Sequence, residues 1–299
     1  MVMDILMEDD FETLHQCPWD AAESEAAEVL YRDDMGCDIV RCPECGIVYA
    51  RRRLNSRGLP KYWSDYLSRV HVHDQGAVEK RNKMYQIDYE FSGRFVPSGK
   101  VLDVGCGNGS FMKIYEQNGY DVTGVEYGKE AAETAEKQYR VRYGVFDEMD
   151  FGKEKFDLII FRGVLQYLPY PKKYLSKAAE LLSGGAGGYL FITAQPNMES
   201  LGFRLFGKNF TQPVDGVNFV GFNERVLTEY LTSLGGRKVG TQYFYLETPY
   251  ADEEADLLKM AKAIHYKKIK KEINFRAPAY WGNMMTLMYF FEPLHQNVG

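Results

Sequence analysis

The sequence predicts an α/β protein with a doubly wound, mostly parallel sheet, and two patterns carry this prediction. Short apolar runs, typical of strands buried on both faces, alternate with stretches of helical periodicity. The apolar runs lie at residues 101–104, 156–161 and 189–193, and 121–126 is predicted as a further strand. A glycine-rich turn follows the first run, at the place where nucleotide-binding α/β folds hold their ligand. Strands that alternate with helices in this way favour a parallel sheet covered by helices on both faces.

Helix ends and turn residues predict the remaining elements. Pro171 opens one helix, and Asn223 caps another that stops at Gly235. The last long helix begins with acids and ends with lysines, which matches the helix dipole. Helices are predicted near 61–69 and 77–95 and at 110–118, 129–139, 171–182, 224–234 and 251–271, with further strands at 238–246 and 284–291. An aromatic, glycine-rich insertion at 196–222 interrupts the alternation.

Composition limits the kinds of partner. The 299 residues are 45% hydrophobic and 14% aromatic, which is enough to form a folded core. A net charge of −6 disfavours sequence-independent binding to nucleic acid. The acidic N-terminus lacks the features of a secretory signal, and no run approaches the roughly 18 apolar residues of a spanning helix. We therefore expect a cytoplasmic protein without a membrane span and with free rather than bridged cysteines.

The turn after residue 104 has the glycine spacing of a cofactor loop. Gly105, Gly107 and Gly109 form G-x-G-x-G after Asp103. A dinucleotide fingerprint would place its third glycine where Ser110 stands, and no Lys-Ser/Thr follows to make a P-loop. Glu126 ends the next predicted strand, where an acid accepts hydrogen bonds from ribose hydroxyls. The pattern predicts a nucleoside-containing cofactor other than a nicotinamide dinucleotide.

The segment V-L-D-V-G-C-G-N-G at 101–109 resembles the first motif of the Rossmann-like, class I S-adenosylmethionine-dependent methyltransferases. The later motifs of that family follow in order at 122–127, 145–148, 156–161 and 184–193. The resemblance implies a seven-stranded sheet, S-adenosylmethionine as cofactor and methyl transfer as activity.

The same resemblance implies a role for each cofactor residue. The loop would pass under the methionine and ribose parts, Asp103 would orient the methionine end, and the backbone at Arg162 would face its ammonium group. Glu126 would bind the ribose, and Asp147, or Glu148 in its place, the adenine amino group with Phe146 stacked nearby. The full implied set is Asp103, Gly105, Cys106, Gly107, Gly109, Glu126, Tyr127, Phe146, Asp147 and Arg162.

The catalytic candidates are less typical of the family. Many relatives carry a Glu-His pair after the fourth strand, but this chain has Gln166 and Tyr167. Glutamine cannot act as a base and a tyrosine has a pKa near 10, so this pair favours positioning over proton transfer. His71 and His73 are the other base candidates. They would share one face of a strand, or belong to a surface or lid segment.

Cysteine spacing near the N-terminus predicts a metal site. Cys42 and Cys45 have chelating C-x-x-C spacing, and Cys17-Pro-Trp-Asp20 repeats it with aspartate in the second place. Some methyltransferases have an N-terminal zinc ribbon that this segment resembles. Cys17, Asp20, Cys42 and Cys45 are the expected ligands of a structural zinc, and the spare candidates are His15 and Cys37. The alternative is a metal-free ribbon. The zinc module is expected to be structural and separable from the chemistry.

These observations divide the chain into a zinc-ribbon-like module at 1–55, a helical lid or linker at 56–98 and a methyltransferase domain at 99–299. The expected function is methylation of a small molecule, at oxygen, in sugar, polysaccharide or natural-product modification. RNA or protein methylation is the alternative, for which the arginines at 51–53 and 57 form the candidate basic patch. The glycine spacing disfavours a nucleotide-dependent oxidoreductase, and the presence of Glu126 and the glycines disfavours a non-catalytic binding protein.

Overall fold

The computed structural model of the chain describes residues 6–64, 74–182 and 187–293. Its strands are β1 Phe11–Thr13, β2 Glu28–Arg32, β3 Asp38–Arg41, β4 Val48–Ala50, β5 Arg52–Leu54, β6 Lys100–Val104, β7 Asp121–Glu126, β8 Arg140–Tyr143, β9 Leu158–Arg162, β10 Gly188–Pro196, β11 Val220–Gly221, β12 Gly236–Gln242 and β13 Met284–Phe291. Its helices are α1 Gly58–Trp63, α2 Gln75–Gly93, α3 Met112–Gln117, α4 Lys129–Ala135, α5 Pro171–Leu181, α6 Leu201–Phe206, α7 Glu224–Ser233 and α8 Glu253–Lys268.

Seven strands form the main sheet in the order β12-β13-β10-β9-β6-β7-β8. β13 is antiparallel to its neighbours β12 and β10. The other strands, β10, β9, β6, β7 and β8, pair in parallel. The prediction of a seven-stranded, mostly parallel, Rossmann-like sheet is confirmed.

The central strands are apolar because both faces of the sheet are covered. In β9, Leu158 and Ile160 pack into one core, while Ile159 and Phe161 pack into the core on the opposite face. All four side chains are fully buried. This explains why the strand reads as a continuous apolar run rather than as an alternating one.

The N-terminal module forms a second, antiparallel sheet in the order β11-β4-β3-β2. Its outer strand β11 comes from the insertion at 196–222, where Val220 pairs with Tyr49. Trp19 packs edge-on against Phe222 and Tyr230 of the methyltransferase part. The module and the main sheet therefore share one hydrophobic core.

One strand of the main sheet, β8, has no counterpart in the sequence prediction. The helix expected at 129–139 ends at Ala135, and the chain then forms β8 at the edge of the sheet. β8 carries two arginines, and its four residues are exposed or half-buried. An edge strand of this kind lacks the apolar pattern that marks the central strands. Within the described ranges, no helix combines the length and apolarity needed to cross a bilayer.

Candidate functional site

A cavity of about 380 Å³ lies beyond the carboxyl ends of β6, β7 and β9. Parallel sheets of this topology bind ligands at this edge. Gly105, Gly107, Glu126 and Arg162 line the cavity on the sheet side. The opposite walls come from α1, with Leu59 and Trp63, and from residues 167–170 with the start of α5.

The loop after β6 needs its glycines for two different reasons. Gly105 and Gly107 have φ angles of 77° and 58°, which disfavour residues with a side chain. A Cβ at Gly105 would lie 2.6 Å from Val164, whereas a Cβ at Gly107 would have nothing within 4 Å. Gly105 therefore allows close packing, and Gly107 leaves open space beside the cavity. The Gly105 N–H also donates to the Val125 carbonyl at 2.8 Å, which fixes the loop on β7.

Glu126 faces this loop from the end of β7. Its Oε2 accepts a hydrogen bond from the Gly107 N–H at 2.8 Å, and its Oε1 accepts one from the Gly128 N–H at 2.6 Å. Burial raises the pKa of this carboxyl group, and the amide donors oppose that shift. Glu126 is thus a carboxylate held in the cavity by backbone amides. Its neighbour Tyr127 also lines the cavity.

Asp147 lies at one end of the cavity, in the turn after β8. Its Oδ1 is buried and has no hydrogen-bond partner among the described residues. Such an atom is costly to leave unpaired, which marks it as an acceptor for a ligand or a water. The adjacent Phe146 ring is buried and packs against Phe151 and Phe161. Glu148 also lines the cavity.

A buried charged group lies at the ends of β6 and β9. The Arg162 Nε donates to Oδ2 of Asp88 at 2.8 Å, and Oδ1 of Asp88 accepts from the Thr193 hydroxyl at 2.7 Å. Asp103 is 3% exposed, and burial raises the pKa of its carboxyl group to about 7. Asp88 was not a sequence candidate, because a single acid within a predicted helix carries no signal of a partner on β9.

Four predicted site residues do not line the cavity, and the first of them is the buried Asp103. The Cys106 side chain packs in the core beside Met112, so only its backbone belongs to the loop surface. Gly109 lies against Tyr139, which leaves no room for a Cβ there. Gln166 is buried, and its Nε2 donates to Gln212 of the insertion at 3.3 Å.

Of the three remaining catalytic candidates, the structure describes only Tyr167. Tyr167 lines the cavity, and its ring packs edge-on against Trp63 at 5.3 Å. His71 and His73 lie outside the described residues. The α1 wall lies within the segment 56–98 that the sequence predicts as a helical lid or linker, although no motif singles out Leu59 or Trp63.

The predicted metal ligands do come together. One ligand atom from each of Cys17, Asp20, Cys42 and Cys45 lies within 4.8 Å of all the others. The thiols of Cys17 and Cys45 are 3.8 Å apart, and Cys42 Sγ is 3.3 Å from an Asp20 oxygen. Three sulfurs and a carboxylate are ligand types that tetrahedral zinc accepts, so this cluster could hold a zinc ion.

Comparisons with known proteins agree with this geometry. A family model described as a methyltransferase domain matches residues 79–220. The ubiquinone biosynthesis O-methyltransferase of Aliivibrio fischeri is 30% identical over 116 residues, which cover 36% of this chain and 49% of that protein. An uncharacterised protein of Methanocaldococcus jannaschii is 31% identical over 103 residues, 34% of this chain and 48% of that one. The chain spans about half the length of these curated relatives.

Solved structures show the same fold at low sequence identity. Magnesium protoporphyrin IX methyltransferase of Synechocystis, with bound S-adenosylhomocysteine, aligns with a TM-score of 0.54 at 14% identity over 80% of this chain and all of that one. A SAM-dependent methyltransferase of Thermotoga maritima gives 0.52 at 19% identity, over 77% and 98% of the two chains. Together with the match of residues 79–220 to a methyltransferase domain, these alignments show that the chain has the fold of S-adenosylmethionine-dependent methyltransferases.

Proposed function

We propose that the protein transfers the methyl group of S-adenosylmethionine to an oxygen atom of a small-molecule acceptor. The observation that carries this proposal is the placement of the Glu126 carboxylate opposite the open backbone of Gly107, in a cavity at the carboxyl edge of the sheet. Sugar, polysaccharide and natural-product acceptors are the classes we favour.

The residues of the cavity fit this cofactor. Glu126 has two carboxylate oxygens in position to accept hydrogen bonds from ribose hydroxyls, in place of or beside its backbone donors. The unpaired Oδ1 of Asp147 can accept from the adenine amino group. The bound cofactor supplies a methyl group already activated on a sulfonium. The protein then has mainly to bind and orient the two reactants and to exclude water.

Two buried glutamines lie behind the cavity wall without lining it. Gln166 and Gln195 are each 1% exposed, and three of their amide atoms have no partner among the described residues. Gln195 follows Ala194, whose φ of 51° lies at a register shift in β10 that redirects the chain. Carboxamides can donate to and accept from a hydroxyl without adding charge. We propose that Gln166 and Tyr167 position the acceptor, and that any base comes from another residue, with His71 and His73 as candidates.

A macromolecular acceptor has less support. The basic patch that would favour it is Arg51, Arg52, Arg53 and Arg57. Each of these arginines pairs with a carboxylate, in turn that of Asp38, Glu8, Glu12 and Asp9. Paired arginines attract phosphates or acidic peptides less than free ones do.

We further propose that Cys17, Asp20, Cys42 and Cys45 hold a structural zinc in a module that spans 1–55. Four protein ligands complete a tetrahedron and leave no open position for chemistry. Residues 56–98 then supply a helical wall for the methyltransferase domain at 99–299. The cytoplasmic location remains a prediction.

The test has two steps. Calorimetry is expected to show binding of S-adenosylhomocysteine and no binding of NAD. Purified protein is then incubated with methyl-labelled S-adenosylmethionine and a panel of sugars, nucleotide-linked sugars and phenols, and label should appear on a hydroxyl oxygen. Binding of NAD without binding of S-adenosylhomocysteine would contradict the cofactor assignment. Label found only on RNA or protein would contradict the acceptor class.

A further inference from the structure

The helix α8 buries one face and leaves an apolar stripe on the other. Its inner side chains, Met260 and Ala263, pack into the core. On its outer side, Leu257 and Ile264 are 59% and 50% exposed, and Ala261 between them is exposed as well. Residues three and four positions apart share one face of a helix, so these three form a continuous stripe. An aligned apolar stripe of this kind marks a surface that another molecule covers.

The surface around the stripe is also apolar. Leu258 is 63% exposed on one flank of the helix. Leu246 precedes α8 and is 60% exposed, and Ile269 follows α8 and is 53% exposed. The loop with Leu246 lies against the start of α8, since the Tyr245 hydroxyl donates to Oδ2 of Asp256 at 3.2 Å. Apolar side chains therefore extend along the whole helix, which is about 24 Å long for its 16 residues.

The two ends of the stripe carry opposite charges. Glu253 and Glu254 lie in the first turn of α8, and Lys267 and Lys268 lie in the last. All four are exposed, and none forms an ion pair or a side-chain hydrogen bond with another described residue. Their spacing of three or four residues from Leu257 or Ile264 places them on the apolar face. The helix dipole explains their signs, but it does not require them to lie on that face.

Two copies of α8 complement each other when they lie side by side and antiparallel. A two-fold axis between residues 260 and 261 brings Leu257 level with Ile264 of the second copy. The same axis brings the two glutamates of each copy level with the two lysines of the other. Ala261 lies next to the axis, where its small side chain lets the helices approach to the usual distance of about 8–10 Å. Such an interface is isologous, because the same patch serves both copies.

We propose that the protein forms a two-fold dimer through α8, in which the apolar stripe of each copy covers that of the other. A membrane surface is the other occupant that exposed leucines and lysines suggest. The acids Glu253 and Glu254 on the same face disfavour it, because they repel anionic headgroups. Two helices of this length bury on the order of 1,000 Å² in total, near the lower limit for a specific interface, so the dimer should dissociate at micromolar concentrations.

Charge reversal gives the sharpest test, because a mixture should restore what each variant loses. In one variant, Glu253→Lys/Glu254→Lys, both ends of α8 are basic. In the other, Lys267→Glu/Lys268→Glu, both ends are acidic. Sedimentation in low salt should show a dimer for the wild type and a Kd at least about tenfold higher for each variant alone. An equimolar mixture of the two variants should associate with a Kd within about threefold of wild type, because opposite charges then meet at both ends.

The apolar contact is tested with a matched control. Leu257→Glu enters the interface twice by symmetry, so a tenfold loss at each copy should raise the dimer Kd by about 100-fold. Val29→Glu is the control, because Val29 is an apolar side chain on β2 that is 53% exposed and distant in sequence from α8. That change should leave the dimer Kd unaltered. Circular dichroism checks that each variant is folded.

The antiparallel arrangement is tested by cross-linking. Ala261→Cys should form a disulfide-linked dimer under mild oxidation, because the two copies of this residue meet at the axis. The five native cysteines are buried and should not compete. Thr232→Cys, at an exposed position on α7, is the control and should stay monomeric under the same oxidation.

Four results would overturn the proposal. They are a wild type that remains monomeric at about 100 µM, charge-reversed variants that each dimerise like the wild type, a mixture that does not associate, and a dimer that Leu257→Glu leaves intact. Binding of a monomeric wild type to phosphatidylserine vesicles would assign α8 to a membrane surface instead. None of these measurements uses a cofactor or an acceptor, so their outcome is independent of the proposed function.

Discussion

Two replacements of Glu126 should weaken cofactor binding to different degrees, because they remove different numbers of acceptor oxygens. The carboxylate has two oxygens, and each accepts a backbone N–H, from Gly107 and Gly128. Glu126→Gln keeps one accepting oxygen and replaces the other with an amide donor. Glu126→Ala removes both.

The magnitude follows from the number of acceptors. Because the ribose hydroxyls compete with the backbone donors of Glu126, the loss of both ribose hydrogen bonds in Glu126→Ala should cost about 1.5–3 kcal/mol together, which raises the Kd for S-adenosylhomocysteine about 10- to 150-fold. Glu126→Gln should show a smaller increase. Because the same oxygens hold the glycine loop on the end of β7, Glu126→Ala should also lower the free energy of unfolding by about 1–2 kcal/mol.

Calorimetry measures the Kd, and urea unfolding measures the stability. The control is Asp121→Asn, at the opposite end of the same strand, where an exposed carboxylate pairs with Arg140 on the surface. That change should leave the Kd unaltered. An unchanged Kd in Glu126→Ala, in a protein that is folded by circular dichroism, would remove Glu126 from the ribose site.

Four other outcomes are expected. The affinity for S-adenosylhomocysteine should rise by about tenfold from pH 6 to pH 8, because the Asp103 carboxyl, with a pKa of about 7, must ionise to pair with an ammonium. Calorimetry across this pH range measures the affinity, and Asp103→Asn should remove its pH dependence. The same raised pKa means that Asp103 contributes less to folding stability as the pH rises from about 4 to about 7, which urea unfolding of the two proteins would show. Removal of zinc by a chelator should release about one ion per chain by metal analysis, and protein purified without added zinc that contains less than about 0.2 ions would contradict the site. Gln195→Leu should lower kcat/KM for the acceptor by about tenfold or more without changing the cofactor Kd, and equal kinetics would remove Gln195 from the acceptor site.

The main sheet was predictable because its signals are local. Asn223 was expected to cap a helix, and its side chain accepts a hydrogen bond from the Val226 N–H. The strand predicted at 284–291 has those bounds in the structure, since its apolar run is buried along almost its whole length. Glu126 and the glycine loop were located by spacing alone, and the structure joins them by a hydrogen bond.

The features that sequence could not supply depend on contacts between distant segments. β11 completes the N-terminal sheet from the insertion, and a two-residue strand has no periodicity to read. Arg53 was one member of a candidate basic patch, yet its side chain is only 1% exposed and its Nη1 donates to the Pro169 carbonyl. Phe146 is predicted beside adenine, and its buried ring also lines the cavity next to Asp147, so this assignment stays a prediction.

The position of Pro169 has a consequence for the N-terminal module. Pro169 lines the cavity, so Arg53 connects the module to the cofactor wall. Trp19, between two of the proposed zinc ligands, packs on Tyr230, whose hydroxyl donates to the Lys172 carbonyl at the start of α5. The Cys45 carbonyl accepts from Arg225 at 2.9 Å.

These contacts argue against a module that can be removed without effect on the cavity. Lys61, in the α1 wall, is tied to the fully buried Asp10 at 2.7 Å, so the segment before the first proposed ligand also holds part of that wall. A short module has too little core to keep this geometry by itself, and loss of its metal should loosen every contact that it makes. Binding of metal and of cofactor would then be linked, each strengthening the other by the same factor.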